Sequence, residues 1–146
     1  MKWITWKNIG VDRMACIWLI RRWLDPAAEF SFLSVGTTPL PEHGEPFDIP
    51  GARYSHHGGH CTFYALLKEQ NLKDPILARI ARVVDEADEL QEVTLEPAAL
   101  GLDLICRGLS RISKDDFEAL ERGSLIYDAL YAQLKSDSTP SQPDGN

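Results

Sequence analysis

No stretch of the sequence is apolar enough to cross a bilayer. The longest apolar run of the first helical segment, residues 14–20, falls far short of the roughly 20 residues a span requires and is closed by Arg21 and Arg22. A secretory signal is missing as well, because neither an apolar core segment nor a small-residue cleavage site follows Lys2. These absences lead us to expect a cytoplasmic protein with no membrane contact. Cysteine is scarce: Cys16, Cys61 and Cys106 are odd in number and form no C-x-x-C pair, which argues against a disulfide framework or a zinc ribbon and for reduced thiols in a core. Basic charge is in deficit. With 15 Lys and Arg against 22 Asp and Glu, the net charge is −7, so no chain-wide attraction to nucleic acid or anionic lipid exists and nucleic acid is not an expected partner.

What is present is ordinary globular composition, with 44% hydrophobic and 25% charged residues among 146. That length fits one domain with its own core, expected over residues 1–135. Residues 136–146, rich in Ser, Pro, Asp and Gly, read as a disordered tail. Residues 2–6 alternate as a strand, residues 11–24 carry apolar residues at helical spacing on a broad stripe, and residues 29–35 alternate again. The three segments predict a β-α-β unit with parallel strands. Residues 36–46 read as a loop, followed by a third apolar element at residues 47–49.

The remainder reads as helical. A short helix spans residues 62–70, and a second runs from Asp74, its cap, through Pro75 to about Glu89. A third runs from Pro97 to about Ile112, where Gly101 and Gly108 offer a face for close helix packing. Ser113 is the expected cap of a last helix over residues 115–134, with Phe117, Leu120, Tyr127, Tyr131 and Leu134 as its buried stripe. The fold class is therefore α/β (or α+β), a small sheet with a β-α-β unit packed against a mostly helical C-terminal half.

Three of the four histidines, His56, His57 and His60, fall within five residues of a glycine-rich loop beside Cys61. Imidazole is the commonest metal ligand near neutral pH and glycines let a loop turn tightly, so a divalent transition metal, Zn, Fe or Mn, is a candidate occupant. His60 and Cys61 are further candidates, although adjacent residues rarely aim both side chains at one point and a buried structural thiol is the simpler reading of Cys61. Asp12, at the head of the first helix, and Asp48, before Pro50-Gly51, are candidate acidic ligands. In the helix from Asp74, roughly 100° per residue puts Asp88 roughly 80° from the centre of the apolar face and Asp85 roughly 140° away. Asp88 is thus the expected inward ligand and Asp85 the solvated one. Arg13, at a helix N-terminus, and Arg53, beside the histidines, are candidates for binding an oxyanion.

Asp12-Arg13-Met14-Ala15-Cys16-Ile17-Trp18-Leu19-Ile20-Arg21-Arg22, with Asp25-Pro26 and Glu29-Phe30, resembles the opening signature of a chromate-resistance protein family, the ChrB C-terminal domain. Phe47-Asp48-Ile49-Pro50-Gly51, His56-His57-Gly58, Cys61-Thr62-Phe63, Ala87-Asp88, Gly108-Leu109-Ser110-Arg111 and Tyr127-Asp128-Ala129-Leu130-Tyr131 resemble the later blocks in the same order. The resemblance implies a link to chromate resistance, in some members as a chromate-responsive regulator with an additional N-terminal half. Because that half is not found in this sequence, DNA-binding regulation is not expected of it. A looser similarity is to the ligand order of DHH-type phosphoesterases, whose places Asp12, Asp48, His56, His57 and Asp88 would fill. Ser55 stands where those enzymes have an Asp before the His pair, and the first motif is reduced to Asp12, which leaves room for one metal rather than two.

The expectation is a chromate-resistance protein whose single metal, held by His56, His57, Asp88, Asp12 and Asp48, binds or processes a small oxyanion. The alternative is a non-enzymatic sensing or interaction module in which metal or anion only orders a surface. A homo-oligomer is compatible with either.

Overall fold

The computed structural model describes residues 1–89 and 94–139. Strand β1 (Lys2–Trp6) is central in a three-stranded parallel sheet of order β2-β1-β3, with β2 at Glu29–Leu33 and β3 at Glu45–Pro46. Lys2 pairs with Glu29 and Trp6 with Leu33, so the predicted β-α-β unit is present. Helix α1 (Val11–Leu19) makes the crossover. It runs on into one π-helical turn, Ile20–Leu24, closed where the Asp25 N–H donates to the Ile20 carbonyl at 2.6 Å, just before Pro26. The third apolar element is corrected: the strand is Glu45–Pro46, inside the expected loop, while Phe47 makes only an isolated bridge to Tyr54.

Helices α2 (Thr62–Glu69), α3 (Pro75–Asp88), α4 (Ala99–Ile112) and α5 (Asp116–Ser138) form the C-terminal half. Asp74 caps α3 as its local chemistry dictates, accepting from the Ile76 and Leu77 amides, with Pro75 in the first turn. The cap of α5 is Asp115, not Ser113, and it accepts from the Glu118 amide at 2.9 Å. Residues 136–138 belong to α5 rather than to a tail, Thr139 is the C-cap of that helix, and the rest of the expected tail, residues 140–146, lies outside the described residues.

The core is built around α1, which is buried on nearly every side. Trp18 stacks on Phe63 of α2 and on Tyr127 of α5, and its indole N–H donates to Asp128 at 2.8 Å. The Tyr127 hydroxyl donates to the Val11 carbonyl at 2.7 Å, and Asp116 receives the Asn8 and Ile9 amides, so α5 clamps the start of α1. Gly123 is where α5 approaches α1: a Cβ there would lie 3.0 Å from Met14 Sδ. Gly101 and Gly108 do not play that part, since a Cβ at either would meet nothing within 4 Å. Phe117, expected in the buried stripe of α5, is 54% exposed and touches Phe32 edge-on. No helix among the described residues is long and apolar enough to cross a membrane.

Candidate metal centre

The start of α1, the turn after β3, the histidine loop and the end of α3 meet at the N-terminus of α2. That N-terminus supplies no cap of its own, because Cys61 precedes the helix and makes no capping bond through its side chain. The orphan amides are received instead by carboxylates from other elements. Asp12, 2% exposed, accepts from the Thr62 amide at 2.8 Å and the Phe63 amide at 3.0 Å. Asp85 accepts from the Cys61 amide at 2.7 Å. Asp48 accepts from the Thr62 hydroxyl at 2.7 Å.

These contacts gather charge around one imidazole nitrogen. His56 Nε2 lies 3.0 Å from Asp12 Oδ2, 3.2 Å from Asp88 Oδ2 and 3.4 Å from Asp48 Oδ1. Its other ring nitrogen, Nδ1, faces Glu89 Oε1 at 3.1 Å. The hydrogen bond to Asp12, opposed by partial burial and aided by the Asp48 and Asp88 charges, pushes the His56 pKa up to about 9. Burial raises Asp48 to about 6, with Asp12 adding to the shift while Arg13, Thr62 and His56 oppose it. Burial likewise raises Asp88 to about 6, aided by Asp12 and opposed by His56. Without a bound cation, an imidazolium proton is therefore what holds three crowded carboxylates together.

The predicted candidates divide into two groups. Asp12, Asp48, His56 and Asp88 converge. His57 does not: His57 and His60 close a two-residue turn through Gly58 and Gly59, both at positive φ, which turns the His57 ring toward Ser55 Oγ and the Arg53 carbonyl, each at 3.4 Å. Arg13 is the counter-ion of Asp48, with Nε 2.9 Å from Asp48 Oδ2, off the line of a good hydrogen bond, and Nη2 donating to the Asp48 carbonyl at 3.3 Å. Its guanidinium is thus engaged inside the protein rather than offered to an oxyanion. Arg53 pairs with Glu69 at 3.1 Å, at the far end of α2 from the acid cluster.

Asp85 corrects the helical-phase argument. It is not solvated but faces His60 Nδ1 at 2.9 Å in addition to capping Cys61, because α2 and the histidine loop cover that flank of α3. Glu89 escaped the sequence reading entirely, since it follows the last turn of α3 and shares no periodicity with it. The Cys61 thiol points away toward the Ala81 carbonyl, and burial pushes its pKa far up. Cys16 and Cys106 are shifted the same way for the same reason. A thiol-reactive dye at about pH 8 is expected to label none of the three cysteines in the folded protein and all three after denaturation. Rapid native labelling of Cys61 would mean that it is not the buried structural thiol described.

The donors suit a borderline or hard divalent cation. Around a metal with bonds of about 2.0–2.2 Å, neighbouring ligand atoms lie about 3.0 Å apart in an octahedron and about 3.4 Å apart in a tetrahedron. The separations of 3.0, 3.2 and 3.4 Å about His56 Nε2 fall in that interval. Asp12, Asp48 and His56 offer ligand atoms all within 4.8 Å of one another, and so do His56, Asp88 and Glu89, but the two sets do not merge into one group, so a single ion held by Asp88 together with Asp12 and Asp48 requires Asp88 to move inward. Glu89, 3.1 Å from Nδ1, would leave Nε2 as the donor atom if His56 ligated a metal.

Comparison with known proteins agrees with this architecture of blocks. The family described as "ChrB, C-terminal domain" matches residues 3–134. "Protein ChrB" of Cupriavidus metallidurans is 32% identical over 136 residues, an alignment that covers 92% of this chain and 41% of that protein. The chain thus spans about two fifths of the relative's length. No solved structure matches it. With nearly the whole chain matched, including every element that contributes to the acid and histidine cluster, the protein belongs to the ChrB C-terminal domain family, the chromate-resistance family its sequence blocks resemble.

Proposed function

We propose that this domain binds one divalent transition metal, Zn, Fe or Mn, through Asp12, Asp48, His56 and Asp88, and that the metal takes a small oxyanion at the coordination positions the protein leaves open. The reading rests on one observation: His56 Nε2 stands 3.0–3.4 Å from a carboxylate oxygen of each of Asp12, Asp48 and Asp88, and Asp12, Asp48 and His56 offer ligand atoms all within 4.8 Å of one another, with Asp88 closing in on the ion. Arg13 then acts by neutralising Asp48, and Glu89 by orienting His56. A four-carboxylate surround repels anions directly, so the oxyanion is expected to bind only when metal is present. Within a chromate-resistance system this gives a metal-dependent oxyanion-binding or oxyanion-processing domain of a cytoplasmic protein.

The test is equilibrium binding of chromate, sulfate and phosphate to metal-free and metal-loaded protein. Oxyanion binding only to the loaded form supports the reading, while equal binding to both forms, or to neither, contradicts it. A second reading, a non-enzymatic metal-responsive module, is favoured by the capping role of Asp12, because metal bound there would also fix the start of α2. A loaded protein that binds no oxyanion but resists proteolysis around residues 56–62 would select that reading.

Asp88→Asn separates site from scaffold. It is expected to lower metal affinity by about 10- to 100-fold while raising the stability of the metal-free protein by about 1 kcal/mol near pH 8, because it removes a carboxylate held above its ordinary pKa. Asp85→Asn is expected to destabilise the fold by about 1 kcal/mol, through its contacts to Cys61 and His60, with metal affinity little changed. Chemical denaturation and metal titration of the two variants read both effects. Loss of metal binding in Asp85→Asn alone would relocate the site.

A further inference from the structure

Beside the acid and histidine cluster, α2 and α3 flank a half-open cavity of about 460 Å³ that none of Asp12, Asp48, His56 or Asp88 lines. It exists because α3 presents Ala78 and Ala81 to α2, where larger side chains would close the space. Leu67 and Leu72 make its wall apolar. The ring of His60 stacks on Tyr64 with centroids 3.9 Å apart, giving one end of the cavity a flat aromatic face.

Its charge runs against that of the chain. Lys68, Lys73 and Arg82 line it, although the chain as a whole carries −7. Lys68 sits 5.6 Å over the Tyr64 ring, and neither Lys68 nor Lys73 has a salt-bridge partner among the described residues. Arg82 has only a 3.6 Å approach to Glu96. Among the described residues the one lining carboxylate, Asp85, is already engaged by the Cys61 amide and His60 Nδ1. An apolar concavity of this volume with a few convergent charges of one sign is the usual build of a small-molecule site. Here the unanswered charges are positive.

We propose that this cavity binds an amphipathic organic anion, a planar apolar body carrying a single carboxylate or sulfonate. The body lies along Leu67, Leu72 and the Tyr64–His60 face, and the anionic head meets Lys68 and Lys73 at the rim. The site is distinct from the metal centre but shares elements with it: α2, whose N-terminal amides Asp12 accepts, the loop that carries both His56 and His60, and α3, where Asp85 precedes Asp88 by one turn.

Fluorescence titration with 8-anilinonaphthalene-1-sulfonate tests the proposal, with EDTA present so that the metal centre plays no part. Saturable binding of one dye per chain is expected. Lys68→Glu/Lys73→Glu is expected to weaken it by about tenfold or more, the scale of a lost charge-assisted contact. Ala78→Leu, placed from an exposed position, is expected to weaken it comparably by filling the cavity. The uncharged N-phenyl-1-naphthylamine should bind more weakly than the sulfonate. Unchanged thermal unfolding of both variants would show that the losses are local. No saturable binding, or variants that bind the dye as the parent does, would overturn the proposal and leave the metal reading untouched, just as failure to take up metal would leave this one standing.

Discussion

Asp12→Ala is expected to cost about 3–5 kcal/mol of folding stability, the scale seen when one partner of a buried charged pair is removed. The magnitude follows from how many groups share this one carboxylate. It is 2% exposed and accepts from the Thr62 and Phe63 amides, from His56 Nε2 and, weakly, from the Cys16 thiol at 3.6 Å. Alanine would leave two helix-terminal amides buried without acceptors, each costing about 1–3 kcal/mol, and would remove the strongest contact of the imidazolium. Asp12→Asn keeps one capping oxygen and is expected to fold with roughly half the loss, so the assignment is testable even if the alanine variant aggregates. Urea unfolding reads both. A loss of under about 1 kcal/mol in Asp12→Ala would mean that α2 does not depend on this cap.

The metal-free protein is expected to be most stable in mild acid and to lose stability progressively, by several kcal/mol, as the pH rises from about 4 to about 9. His56 is raised from 6.5 to about 9 in the folded state, so the stability of its imidazolium is complete below pH 6.5 and is lost as the pH climbs through 9. Its ring is 40% exposed, and solvent screening reduces its share accordingly. Asp48 and Asp88 rise from 3.8 to about 6, so the folded chain holds their protons more tightly than the unfolded chain and loses that advantage between those values. Asp25 and Asp128 are shifted downward, and their contributions change only below pH 3.8, outside this window. Metal inverts the profile, because protons and metal compete for the same atoms, and saturating metal should stabilise the protein most between pH 7 and 9. Thermal unfolding across pH, with and without metal, measures this. A metal-free stability that increases from pH 5 to 9 would contradict the charge arrangement around His56.

What could be read from the sequence was what local chemistry decides. The Asp74–Pro75 start of α3 depends on residues next to each other in the chain, and the β-α-β order on the succession of short periodic segments, whereas Asp88, expected to point inward, is exposed at the end of α3 and more open to solvent than Asp85. What could not be read depends on which element covers which. Asp85 sits at a phase that points away from its own helix's apolar face, yet α2 lies there and uses it as a cap. His56 and His57 are neighbours of the same type, and only the turn at Gly58 and Gly59 sends one ring into the acid cluster and the other out of it. Arg13 looked available because a helix N-terminus suits anions, but Asp48, brought beside it by the turn after β3, claims the charge first. Glu89 belongs to no periodic pattern, and its part emerges only from its distance to His56 Nδ1.

The central claim, a single metal in place of the His56 proton, is tested most directly by calorimetric titration of Zn, Fe(II) or Mn(II) into EDTA-stripped protein. The titration is run near pH 7.5 in buffers of different ionisation enthalpy, with elemental analysis of the product. One metal per chain and release of about one proton on binding are predicted, because an imidazole held at about 9 is charged at that pH and must give up its proton to become a ligand. Absence of stoichiometric uptake, or tight uptake with no proton release that persists in Asp88→Asn, would contradict the account.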